Sequence, residues 1–155
     1  MIPDFSRDDL SVISHYLGKI FIAFGIVQII PIFVGLISGE INPIIDFFIS
    51  IITCFAFGSI LLYFSPYFPE INWRQGMIIV ALSWLFGMFF SALPLYLSGH
   101  YRCYLDACFE SMSAYATTGL ILVQDLDHLS NAHNIWRHLM CFIGGQGIIL
   151  VALVF

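Results

Sequence analysis

Residues 110–121 read ESMSAYATTGLI, a hydroxyl-rich stretch set between strongly apolar runs, and the way it is read decides the fold. It is too short and too polar to cross a bilayer. Upstream, from Arg102 to Tyr115, apolar residues fall at Tyr104, Leu105, Cys108, Phe109, Met112 and Tyr115, while Asp106 and Glu110 sit one turn apart on another face. That spacing predicts a helix of about 14 residues, roughly 20 Å long and too short to span. Small and hydroxylated residues follow at Ala116, Thr117 and Thr118, ending in Gly119, the residue type that enters left-handed backbone space without strain. The chain stays apolar through Val123 and then turns polar at QDLDHLSNAHN, residues 124–134. A short helix that enters and a strand-like segment that returns describe a re-entrant loop. Non-helical backbone at membrane depth survives only where protein buries it or where it lines a water-filled path.

The surroundings of this stretch belong to lipid. The 155 residues are 60% hydrophobic and 10% charged, with a mean hydropathy of +0.95, whereas soluble domains carry roughly 25% charged residues. An integral, all-α polytopic membrane protein follows. The net charge of -5 comes from thinly spread ionisable groups and gives no footing for nucleic acid. Residues 17–37, 44–64 and 76–97 each supply the roughly 20 apolar residues that a crossing needs, and 139–155 is a fourth apolar run. Gly39 and Pro43 break the first connection, Pro66 and Pro69 the second. Pro31 is expected to kink the first span, and residues 5–17 are expected to form a short interfacial helix leading into it. The acidic N-terminus lacks the basic start of a secretory signal, so the first span is expected to be retained. The organisation predicted is a leading helix pair, residues 1–72, followed by one helix–pore loop–helix unit, residues 73–155.

Several residues carry a plain reading beside a sharper one. Cys54, Cys103, Cys108 and Cys141 form no CxxC pair and read as packing residues. His128, His133 and His138 do not share one helical face, and their surroundings read as a solvated loop rather than a metal site. A membrane metalloenzyme would need these side chains to converge. Gly35 and Gly39 have the spacing of a helix-contact motif that more often reflects ordinary packing. Glu110 is costly at membrane depth unless paired, and bonding to the neighbouring loop backbone is one role for it.

Asp106–Gly119, DACFESMSAYATTG, resembles the first pore unit of the membrane subunits of Trk/Ktr potassium-uptake systems, whose pattern is close to D-A-F-F-E-S-x-S-G-x-T-T-T-G. The likeness continues through a polar loop to Trp136-Arg137 and to GGQG at residues 144–147. The resemblance implies a potassium-channel-like selectivity filter, in which rings of backbone carbonyls replace the hydration shell of the ion. Ala116, Thr117, Thr118, Gly119 and Leu120 would then line the ion path, with K+ held by the backbone of Thr117, Thr118 and Gly119. Asp106, Glu110 and Ser111 would support the pore helix, although Asp106 also fits a simple cap. Arg137 reads either as an outer-mouth residue or as a snorkelling interfacial arginine. Two departures stand out: Ala116 replaces the first threonine of the usual triplet, and Gln146 takes a position usually apolar, where it reads as a helix-packing polar contact.

The resemblance further implies potassium uptake with no catalytic step and no cofactor, K+ being the transported ion. It implies the lipid bilayer, the remaining pore units and a cytosolic nucleotide-binding regulatory subunit as partners. The location implied is the cell inner membrane, with the N-terminus in the cytoplasm. The family places four such units in one chain; with one unit and an end within an apolar run, this chain is expected to be a truncated product or an excerpt. The alternative is a non-conducting structural subunit of a membrane complex.

Overall fold

A computed structural model of the chain describes residues 7–65 and 71–154. Six helices account for its regular structure among the described residues: α1 (Arg7–Val27), α2 (Ile29–Ser38), α3 (Ile41–Tyr63), α4 (Trp73–Leu97), α5 (Tyr104–Tyr115) and α6 (Asn131–Val154). Among the described residues, three stretches are long and apolar enough to cross a membrane, Asp9–Ser38, Ile41–Tyr63 and Trp73–Leu97. The protein is thus an all-helical, polytopic membrane protein.

The first crossing is broken at Gln28 into α1 and α2. Pro31 accounts for the break, because it offers no N–H to the carbonyl of Val27 and its ring crowds that carbonyl. Gln28 itself keeps helical dihedrals, and its N–H still donates to the Phe24 carbonyl at 3.2 Å. The separate interfacial helix expected before this span does not form. From Arg7 onward the chain is already the first turns of α1, with Val12, Ile13 and Leu17 buried in the core; Phe5 and Ser6 lie outside the described residues. Gly39 is a helix C-cap rather than half of a contact motif. Its φ of 71° lets its own N–H reach the Leu36 carbonyl and that of Glu40 reach the Gly35 carbonyl, which closes α2.

The close crossing in the leading pair lies elsewhere, at Gly18 on α1 and Gly58 on α3. A Cβ added to either would stand 2.9 Å from the carbonyl oxygen of the other. Lipid gives apolar helices no hydrophobic reason to associate, so van der Waals contact at such small residues must supply the attraction. Around this crossing Phe21 packs against Phe57 and Phe90, each with ring centroids 5.0 Å away, and so joins α1 to α3 and α4.

Polar clamps at both ends fasten the leading pair to the rest. At one end Gln75, in the first turn of α4, donates through Nε2 to Asp9 at 2.6 Å, and His15 Nδ1 lies 3.0 Å from the Ser65 carbonyl. At the other, the Glu40 carboxylate accepts the backbone N–H groups of Asn131 and Ala132 at 3.0 and 3.3 Å. These are orphan donors of the first turn of α6, and a carboxylate there also suits the helix dipole. The remote cap explains why α6 begins at Asn131 instead of near residue 139. Asn131 to Asn134 are therefore helix and not solvated loop, and His133 is buried.

Candidate functional site

The site grows from α5, a helix of 12 residues that reaches only about 18 Å. Its C-terminal end is fixed from three directions. Tyr115, 1% exposed, shares a 2.5 Å hydrogen bond between its hydroxyl and that of Ser91 on α4. The Ser91 carbonyl in turn accepts from Trp136 Nε1 on α6 at 3.1 Å. Beneath the same turn lies Gly144 of α6: a Cβ there would collide with the Tyr115 carbonyl oxygen and stand 2.6 Å from its carbonyl carbon and Cα. The GGQG motif is thus a seat for the end of α5. Its second glycine lies beside Thr117, where a Cβ would meet the threonine methyl at an ordinary 3.6 Å.

After Ala116, the C-cap of α5, the backbone makes two left-handed steps. Thr117 has φ 53° and Gly119 has φ 78°. Around Gly119 a side chain would find open space, so conformation rather than room demands glycine there. Thr117 is β-branched and holds an unfavourable φ, which its N–H to the Ala114 carbonyl (3.0 Å) and that of Thr118 to the Ser113 carbonyl (2.9 Å) help to keep.

The returning segment runs antiparallel to α5 without belonging to any sheet, and side chains of α5 supply its partners. Ser113 Oγ accepts the N–H of Leu120 at 2.7 Å, and Glu110 Oε2 accepts those of Leu122 and Val123 at 2.8 and 3.0 Å. The N–H of Gln124 then reaches the His100 carbonyl at 3.3 Å. Among the described residues, no hydrogen bond is accepted by any carbonyl from 116 to 123. The segment is therefore tied to protein through its donors, and its acceptors stay unused. Ala116 through Leu122 are exposed on this face.

Glu110 is the centre of the arrangement and is 2% exposed. Its second oxygen, Oε1, accepts from Arg137 Nε on α6 at 2.5 Å, a charge-assisted bond between two nearly enclosed groups. Arg137 also donates to Asn134 at 3.4 Å. Arg137 is thus the ion-pair partner of Glu110. Burial pushes the nearby Tyr101 phenol upward, and the Glu110 charge adds to that shift.

Other expected residues fall differently. Asp106 lies in the first turn of α5, where its charge suits the helix N-terminus. Ser111 is fully buried with its hydroxyl unpartnered, while Ser113, two residues on, makes the bond to the segment. Gln146 is exposed on α6 rather than packed between helices. Of the cysteines, all free thiols, Cys54 and Cys108 are buried, but Cys103 and Cys141 are exposed and so are not packing residues. Cys141 and His138 line a groove of about 340 Å³ with Gly119, Leu120 and Arg137, between the segment and α6. Ser113, the Glu110–Arg137 pair and the seat at Gly144 are the features that the sequence did not assign. A buried carboxylate followed by one arginine in the next span was the available signal for the pair.

Residues 43–155 match the family described as TrkH, cation transport protein. An uncharacterized cation transporter of Methanocaldococcus jannaschii, MJ1485, is 34% identical over 148 residues, covering 95% of this chain and 31% of the relative. The Trk system potassium uptake protein TrkG of Escherichia coli is 29% identical over 143 residues, covering 91% of this chain and 29% of the relative. TrkH of the same organism is 37% identical over 84 residues, 54% of this chain and 17% of the relative. The chain thus spans less than a third of the length of these relatives. Its match over most of its residues, through both α5 and the glycine seat, shows that the chain belongs to the TrkH family of cation transport proteins.

Proposed function

We propose that this chain carries one of four selectivity-filter loops of a potassium-uptake pore, with Ala116 to Leu120 along the ion path and the carbonyls of Thr117, Thr118 and Gly119 as K+ ligands. The supporting observation is the asymmetry of the returning segment. Its N–H groups are held by Ser113 and Glu110, and its carbonyls from 116 to 123 have no donor among the described residues. A carbonyl ring that replaces water around an ion needs that division, because donors must point away from a cation. The C-terminal end of α5 adds its negative dipole end at Ala116. The relatives named for potassium uptake make K+ the cation of choice.

On this reading transport needs no catalytic step, since selectivity arises from the exchange of water for carbonyl oxygens. The remaining pore units complete the ring against the exposed face of Ala116 to Leu122. The segment enters from outside the cell inner membrane, which puts the N-terminus in the cytoplasm, where a nucleotide-binding regulatory subunit would dock. Gly119→Val in the full-length transporter tests the assignment, because a β-branched side chain opposes φ 78° even though space is open. Potassium uptake is expected to be lost, or to admit sodium, with the amount of protein in the membrane unchanged. Wild-type uptake and selectivity in that variant would refute the filter.

A further inference from the structure

Gln28 stands inside the first crossing, fully buried, at the joint between α1 and α2. Its amide Nε2 donates to Cys54 Sγ on α3 at 3.5 Å, while Oε1 has no hydrogen-bond partner among the described residues. A buried amide with one pole idle is costly in an apolar bundle, and an apolar side chain of the same shape would give up one weak bond and remove that cost. Stability therefore does not account for glutamine here. What the amide supplies is direction, because its bond to Cys54 fixes the joint to one atom of α3, as apolar contact does not.

The joint needs such a fixed point. Pro31 offers no N–H to the Val27 carbonyl, so the α1–α2 axis bends most easily there. One turn before Gln28 is Phe24, whose carbonyl accepts the Gln28 N–H at 3.2 Å. The Phe24 ring lies against that of Tyr115, the last residue of α5, with centroids 6.0 Å apart. Both rings close over Gly87 of α4, where a Cβ would stand 3.3 Å from Phe24 and 3.8 Å from Tyr115. A change of angle at the joint is thus passed to Tyr115 with little slack.

The same glutamine reaches Tyr115 by a second route. On α3, Ser50 lies one turn from Cys54, fully buried, and donates to the Phe90 carbonyl of α4 at 3.4 Å. The next residue of α4, Ser91, holds the Tyr115 hydroxyl. Tyr115 is therefore braced at its ring through α1 and at its hydroxyl through α3 and α4. Directly after it come Ala116 and the left-handed step at Thr117.

We propose that Gln28 is a positioning residue for cation selectivity, setting through the α1–α2 joint the orientation of Tyr115 and so of the backbone that carries the Thr117, Thr118 and Gly119 carbonyls. The proposal rests on reading residues 116–120 as the filter. It gives the leading helix pair, which supplies no ligand in that reading, a part in selectivity.

The test uses the full-length transporter, with the ratio of potassium to sodium uptake measured in cells and the melting temperature measured on detergent-purified protein. Gln28→Met keeps the length of the side chain and removes the bond. Its melting temperature is expected to equal or exceed that of wild type, while the uptake ratio falls by about threefold, the worth of one interhelical polar contact in lipid. Cys54→Ser keeps an acceptor for Nε2 and should keep the wild-type ratio, whereas Cys54→Ala should match Gln28→Met, and the two combined should fall no further. If Gln28→Met does not reach the membrane, Cys54→Ala decides the question by the same ratio. Gly119→Val, run alongside, separates this proposal from the filter reading. An unchanged ratio in Gln28→Met and Cys54→Ala with an altered one in Gly119→Val would overturn the positioning role and leave the filter standing; an unchanged ratio in all three would overturn both. Equal ratios in Cys54→Ser and Cys54→Ala, or a ratio that falls only together with the melting temperature, would make Gln28 a packing residue and likewise overturn the proposal.

Discussion

The leading helices and the short helix α5 are both made of apolar-rich sequence, yet they are held in different ways. α1 and α3 meet through small residues and rings, with Gly18 and Gly58 backbone to backbone and Phe21 wedged against Phe57. Their backbone polar groups are satisfied within each helix, so the contact asks only for shape. The segment after α5 has no helix to satisfy it. Beyond the turn held by the Ala114 and Ser113 carbonyls, its ties are directed bonds to named atoms: Ser113 Oγ, Glu110 Oε2, the His100 carbonyl. Packing spreads its stabilisation over many weak contacts, and the returning segment concentrates it in a few residues. Substitutions should therefore be tolerated in the first region in proportion to volume, and in the second according to which bond they remove.

Gly144 should show the largest effect, because there the two modes of support coincide. Gly144→Ala places a carbon against the Tyr115 carbonyl, and backbone on both sides leaves no flexible side chain to yield. The end of α5 must shift, and Thr117 with it. Expected are loss of potassium uptake in the full-length transporter and a reduced yield of folded protein, read by cell growth at low potassium and by size-exclusion profile. If Gly144→Ala transported normally while a bulky change at Gly18 did not, the ranking of the two regions would be reversed.

Glu110→Gln comes next. The amide can still accept one or two bonds from Leu122 and Val123, but Arg137 keeps its charge, 13% exposed and without its partner. Removing one member of a buried pair typically costs about 3–5 kcal/mol. A marked fall in melting temperature and in uptake is expected. Glu110→Gln combined with Arg137→Gln should recover part of the stability without recovering selectivity, since the charge is balanced but the bonds to the segment stay weaker. Recovery of both would mean that Glu110 serves packing alone.

What could be read beforehand follows the same division. Length and apolar run were enough for the crossings of α1–α2, α3 and α4, since lipid forces helices on any such stretch. The short helix and the break after it were legible from spacing and from Thr-Thr-Gly. Hidden were features fixed by residues far apart in sequence. The start of α6 depends on Glu40, 91 residues before Asn131, and local pattern around 131–134 reads as loop. The burial of His133, the exposure of Cys141 and the ion pair of Arg137 share that cause. Ser111 and Ser113 show a subtler limit: two serines on one short helix are equivalent in composition, and only the turn geometry decides which faces Leu120.

Ser113→Ala sharpens that point. It removes one acceptor and leaves the Leu120 N–H without its protein partner, a loss of about 0.5–1.5 kcal/mol confined to the segment. Expression and melting temperature should stay near wild type, with potassium-over-sodium selectivity reduced. Ser111→Ala, whose hydroxyl has no partner, should leave both unchanged. Equal effects from the two would remove Ser113 from the support of the loop.

The smallest expected change in stability has the opposite sign. Thr117 carries a β-branched side chain at φ 53°, whereas Gly119, two residues on, meets the same demand with glycine. A non-glycine residue held in left-handed space costs on the order of 1–3 kcal/mol, so Thr117→Gly should relieve part of that and leave the melting temperature equal or slightly higher. Glycine also widens the conformations open to the unfolded chain, which offsets some of the gain. Function should move the other way: without Cβ and methyl, nothing confines the peptide planes on either side of residue 117, and the carbonyls proposed as ligands lose their fixed aim. Measured together, an unchanged or raised melting temperature with poorer potassium selectivity would show strain kept for function. A clear fall in melting temperature would instead show that the Thr117 side chain packs favourably against Gly145 and that its backbone costs little.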